Sequence, residues 1–118
     1  LVEESIPYAN LNRVDLSCAD LSGSVFTGCR LNSANLVFVK APYADFSHIE
    51  ARESDWYSAD LLGADFRKAK LQRASFYKCD LRGSDFRKAE IAFADFRDCR
   101  LEGARFDESA VLNTAFSS

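Results

Sequence analysis

The sequence predicts an all-β fold: a four-sided parallel β-solenoid of nearly six coils, with four five-residue sides per coil. Three observations predict it. A large apolar residue stands at every fifth position, a small residue stands two places before it, and finer detail recurs at intervals of twenty.

The five-residue period comes first. Starting at Leu1, it runs through Ile6, Leu11, Leu16, Leu21, Phe26, Leu31 and Leu36, and later through Trp56, Leu61, Phe66, Leu71, Phe76, Leu81, Phe86, Ile91, Phe96, Leu101 and Phe106. A helix would smear such positions around its cylinder, and a straight strand would send alternate ones to opposite faces. A chain that bends every five residues points all of them at one axis. The expected core is therefore a column holding Phe26, Phe46, Trp56, Phe66, Phe76, Phe86, Phe96 and Phe106. The small partners, such as Ala19, Ala34, Ala64, Ala69 and Ala89, let one large and one small side chain per side fill a narrow interior.

The number of sides follows from the longer repeat. From Leu61 to Phe106 the centres alternate Leu or Ile with Phe, so four sides per coil give pure columns and three would mix them. Asp65-Phe66-Arg67-Lys68-Ala69 recurs as Asp85-Phe86-Arg87-Lys88-Ala89, and Arg30, Glu50, Lys70 and Glu90 alternate in charge at steps of twenty. Successive coils spaced like parallel strands make a rod roughly 25–30 Å long. Residues 1–118 are expected to form one domain in which each coil contacts only its neighbours.

The unit Ala-Asp-Leu/Phe-x-x stands as Ala19-Asp20-Leu21-Ser22-Gly23, Ala59-Asp60-Leu61-Leu62-Gly63 and Ala94-Asp95-Phe96-Arg97-Asp98. It resembles the motif of the pentapeptide repeat family, and the resemblance covers essentially the whole chain. It implies a right-handed quadrilateral β-helix and no enzymatic activity. Members of that family include inhibitors or protectors of DNA gyrase, bacterial effectors and thylakoid-lumen proteins.

Composition narrows the function classes. No apolar run is long enough to span a membrane as a helix. The chain opens on Leu1 already in phase, and is read as a mature product or a piece of a longer protein. Net charge is −3, divided as −5 over residues 1–60 (four basic, nine acidic) and +2 over 61–118 (eleven basic, nine acidic). Acids are interleaved throughout the basic half, so nucleic acid is not the expected partner, and the surface charges are expected to pair between coils.

No catalytic, cofactor-binding or metal-binding constellation stands out, and no cofactor is expected. His48 is the only histidine and has no nucleophile or second histidine at a matching position. Cys29, Cys79 and Cys99 fill the small inward slot, while Cys18 points outward. Cys79 and Cys99 should stack on adjacent coils, but parallel side-chain vectors place their sulfurs poorly for a bridge. Gly23, Gly63, Gly83 and Gly103 share one corner column, where a positive φ is expected.

The pattern is irregular over 37–56. Ala41 and Ala51 are small for their slots, Val39 and Ile49 large for theirs, and Trp56 replaces Phe. Volume is expected to be conserved within each repeat, with the coil deformed. Pro42, unable to donate a ladder hydrogen bond, is expected to distort its corner.

One outward face carries the candidate partner-binding residues Val37, Phe38, Tyr57, Tyr77 and Arg97, whereas Tyr43, Leu62 and Phe93 are scattered. Clustered exposed aromatics suit protein recognition. The favoured function is a non-catalytic protein-binding or scaffold module. The alternative is a DNA-mimicking modulator of DNA gyrase of the quinolone-resistance type, which calls for a long, broadly acidic rod. Open strand edges at the two ends would also permit end-to-end self-association.

Overall fold

The computed structural model describes residues 2–116; Leu1, first of the apolar series, lies outside them. The architecture is a β-helix. Parallel bridges join residues twenty apart all along the chain, from Ser5 with Val25 to Asp95 with Ala115. Each five-residue segment contributes one bridge and one turn, and no helix occurs among the described residues. The extents are 31 × 21 × 21 Å.

One repeat shows how the backbone is satisfied. Around the centre Phe66, the Phe66 N–H donates to the Asp85 carbonyl (2.7 Å) and the Lys68 N–H to the Arg87 carbonyl (3.0 Å), both on the following coil. The Lys70 N–H donates backwards to the Ile49 carbonyl (2.8 Å), and the Ala69 N–H closes the turn on the Phe66 carbonyl (3.1 Å). The fifth donor, the Arg67 N–H, reaches the Asp65 carboxylate (2.9 Å). Every N–H of the repeat is therefore paired, which buried or half-buried backbone requires.

The turn explains the glycines and shows that Pro42 costs the ladder no hydrogen bond, so a lost ladder bond is not the cause of the stretch at its corner. Its third residue, two places after the centre, has φ near +60° at every described corner, in eighteen non-glycine residues as well as in the five glycines. Such a φ marks a type II turn, whose second position favours proline. Pro42 occupies that second position. The N–H at this position takes no part in the ladder, so proline removes nothing there; its carbonyl still accepts from Gly23 (3.0 Å) and register continues through the Lys40–Asp60 bridge. At Gly28 and Gly63 a second reason applies: a Cβ would lie 2.5 Å from the Tyr8 ring and 2.6 Å from the Tyr43 ring, respectively.

The core is the expected column. Phe26, Phe46, Phe66, Phe86 and Phe106 form one stack with centroids 4.7–5.3 Å apart. Trp56, Phe76, Phe96 and Phe116 form a second, 4.9–5.5 Å apart. The two stacks meet edge to face, the favoured aromatic geometry. Phe106 is only partly buried, because it belongs to the last described coil.

Over 37–56 the interior stays closed: Val39, Ala41, Ile49, Ala51 and Trp56 are all buried. The deformation is confined to three consecutive turns. Their closing bonds to Ala44, Ile49 and Ser54 stretch to 3.3–3.4 Å, against 2.9–3.1 Å at the other turns where the bond forms. Trp56 satisfies its indole N–H on the Ser54 hydroxyl (2.7 Å), which in turn donates to the Ala51 carbonyl (2.6 Å). A serine in the small slot is what makes a tryptophan tolerable there.

Candidate functional site

The aromatic residues singled out in the sequence come together at one corner of three successive coils. Phe38 meets the Tyr57 ring edge to face at 5.5 Å, and Tyr57 lies 5.8 Å from Tyr77. The Arg97 guanidinium sits over the Tyr77 ring at 5.3 Å. Phe38 is 55% exposed, and Val37, Tyr57 and Tyr77 are half-buried. Parallel register stacks Val37, Tyr57, Tyr77 and Arg97, twenty apart, in one column, and Phe38 joins Tyr57 from the next corner position.

Of the two cations at the ladder, Arg97 was singled out from sequence and Lys78 was missed. Lys78 Nζ lies 5.4 Å from the Tyr77 centroid, and Arg97 is held in place by two hydrogen bonds to Asp95, at 2.9 and 2.8 Å. The lower end of the ladder is therefore cationic. The other exposed aromatics stand apart: Tyr43 lies over Gly63, and Phe93 carries Arg73 at 4.7 Å.

Charge pairing differs from expectation. Arg67, Arg82, Arg87 and Arg97 clamp Asp65, Asp80, Asp85 and Asp95 within their own repeats at 2.6–2.8 Å. Among the described residues, the one ion pair between coils is Arg67 with Asp85 at 3.9 Å. The aspartate already accepts the backbone N–H of the residue after the centre, so that residue's own side chain is the nearest donor. The signal was present in the sequence as Asp-x-Arg. The Arg82, Arg87 and Arg97 hydrogen bonds hold the carboxyls of Asp80, Asp85 and Asp95 below the usual aspartate range. Arg67, Lys68, Arg87, Lys88 and Glu108 line a surface cleft of about 310 Å³, with both guanidiniums already committed to aspartates.

The inward cysteines are structural. The thiols of Cys29, Cys79 and Cys99 donate to the carbonyls of Ile6, Trp56 and Phe76 on the preceding coil, at 3.0, 2.8 and 2.8 Å. Ser109 and Thr114 use their hydroxyls in the same way. Burial pushes the Cys79 thiol well up and that of Cys99 up to about 11, so both are protonated near neutrality. His48 lies at an exposed corner. Among the described residues no three potential ligands gather as for a metal ion, and no helix is long and apolar enough to cross a membrane.

Comparison with known proteins agrees with this architecture. HetL, a pentapeptide repeat protein involved in heterocyst differentiation regulation in the cyanobacterium Nostoc sp. strain PCC 7120, superposes with a TM-score of 0.78 at 24% identity. The match covers 82% of this chain but 45% of HetL, so the chain spans under half of that protein's length. Rfr23 from the cyanobacterium Cyanothece 51142 matches at TM-score 0.66 and 21% identity, covering 96% of this chain and 84% of Rfr23. A pentapeptide repeat protein of the Arabidopsis thaliana thylakoid lumen matches at TM-score 0.64 and 26% identity, over 76% of this chain and 59% of that one. No curated protein sequence matches. The profile described as "Pentapeptide repeat region" matches residues 51–118, and that described as "Pentapeptide repeats (8 copies)" matches residues 9–42. With the twenty-residue pairing and the turn at every fifth residue, these matches show that the chain belongs to the pentapeptide repeat family.

Proposed function

We propose that this chain is a non-catalytic protein-binding module whose partner surface is the corner formed by Val37, Phe38, Tyr57, Tyr77 and Arg97. The observation that carries the reading is the contact of Phe38, Tyr57 and Tyr77 with one another on the outside of the rod. Exposed aromatic rows of this kind supply large, rigid contact area and are enriched where proteins bind. The gyrase-directed alternative is less well supported, because the aspartates at 65, 80, 85 and 95 are neutralised by arginine rather than aligned as a negative stripe. We further read the β-helix as right-handed and quadrilateral, with nearly six coils in one domain over 1–118 and a packing irregularity over 37–56. The twenty-residue pairing with four turns per register supports that reading.

The test is capture of a binding partner by the purified chain and by a Tyr57→Ala/Tyr77→Ala variant. The variant is expected to melt like the parent and to lose capture. Capture at parental levels would remove this face from consideration.

A further inference from the structure

Along the chain, the aspartate before a centre accepts the backbone N–H of the residue after it, and usually a side-chain donor from that residue too. Ser17, Ser22 and Ser47 give a hydroxyl to Asp15, Asp20 and Asp45. Arginine gives a guanidinium to Asp65, Asp80, Asp85 and Asp95. Asp55 and Asp60 differ, because the residues that follow their centres are Tyr57 and Leu62, and only the backbone N–H reaches the carboxylate (3.0 and 3.3 Å). Asp60 stands in register with Lys40, but Asp55 stands between Asn35 and Ser75, which carry no charge. Asp55 is also exposed, and the N–H it accepts belongs to Tyr57, a member of the ladder.

The other end of the ladder shows what such a site takes. There a carboxylate (Asp95), a guanidinium (Arg97) and a ring (Tyr77) form one assembly, the guanidinium held by two hydrogen bonds and lying 5.3 Å from the ring centroid. At the Phe38–Tyr57 end the carboxylate and the rings are supplied by this chain and the cation is not. Lys78 and Arg97 make the Tyr77 end repel a further cation, which directs it towards Tyr57. A guanidinium suits the place better than an ammonium, since it pairs bidentately, stacks on rings and is weakly hydrated.

We propose that this face binds a partner segment through an arginine side chain, seated on the Asp55 carboxylate against the Tyr57 and Phe38 rings. The proposal rests on the reading of the aromatic corner as a partner surface.

The experiment titrates the isotope-labelled chain with three synthetic peptides that differ only in a central arginine, lysine or norleucine, and follows backbone amide shifts. The arginine peptide is expected to move the Phe38, Tyr57 and Asp55 signals and to bind about two- to fivefold tighter than the lysine peptide. Asp55→Asn should weaken the arginine peptide about three- to tenfold and leave the norleucine peptide unchanged. Tyr57→Ala should abolish the shifts while the melting curve stays parental. Equal binding of all three peptides at the ladder, unaffected by Asp55→Asn, would overturn the arginine seat and leave the aromatic surface standing. Absence of shifts at the ladder with every peptide would also overturn the seat, and the capture assay then decides the aromatic surface separately.

Discussion

At the residue scale, the corner position two places after each centre bears the strictest demand. Its φ near +60° lies in the left-handed region, which L residues enter at a penalty and β-branched residues almost never occupy. The chain obeys: no Val, Ile or Thr stands at any described corner, although Arg, Lys, Glu, Tyr and Phe do. Lys88, with φ +61°, gives a clean test. Lys88→Gly should stabilise by about 0.5–1 kcal/mol, the backbone relief exceeding the entropy glycine adds to the unfolded chain. Lys88→Thr should destabilise by about 1–2 kcal/mol. Thermal melts should move in opposite directions; movement in the same direction would show that corner φ is not what selects these residues.

At the scale of the element, a five-residue repeat with an aspartate before its centre is a turn stapled by that aspartate. The carboxylate covers the one N–H that neither the ladder nor the turn uses, and in four repeats it also clamps an arginine. The clamp hydrogen bonds hold the carboxyls of Asp80, Asp85 and Asp95 below their ordinary range. For a carboxylate whose folded pKa is depressed, the stabilisation is fully present above the unfolded value of about 4 and is lost as pH falls through the folded value. The melting temperature should therefore drop below about pH 4. An Arg82→Gln/Arg87→Gln/Arg97→Gln variant should show a shallower drop, since arginine is the largest cause of each shift. Parallel pH curves for the two proteins would assign the acid sensitivity to other groups. The pairs are half-exposed, so their value at neutral pH is small.

For the whole molecule, stability comes from a continuous interior rather than from separable parts. The two aromatic stacks run through consecutive coils, and the rings from Phe46 onwards touch both their own column and the neighbouring one. Phe86 contacts Phe66, Phe76, Phe96 and Phe106, and is fully buried. Phe86→Asp places an unpaired charge among four rings and should cost at least about 3–5 kcal/mol, enough to unfold the coils on both sides. Circular dichroism should then show loss of the cooperative transition. A cooperative melt at the parental temperature would contradict a shared column.

The period of five, the inward and outward assignment of side chains and the stacking at intervals of twenty were all legible in the amino-acid sequence. The reason is physical: every coil meets nearly the same surroundings as the last, so each position is chosen repeatedly by one environment. Membership of the aromatic corner was legible on the same ground, because columns follow from counting. Three features needed the tertiary structure. Whether Asp65 or Asp85 pairs along the coil or across it depends on which donor the pinned carboxylate meets first, and Arg67 and Arg87 each lie nearest their own aspartate. That Pro42 costs the ladder nothing depends on which N–H groups the ladder uses, which hydropathy does not encode. That Phe38, Tyr57 and Tyr77 touch, with Arg97 over the last ring and Asp55 lacking a side-chain donor beside the first two, depends on side-chain directions set only once the coils are stacked. Repetition of sequence sets the backbone, and contact between neighbouring coils sets the chemistry of its surface.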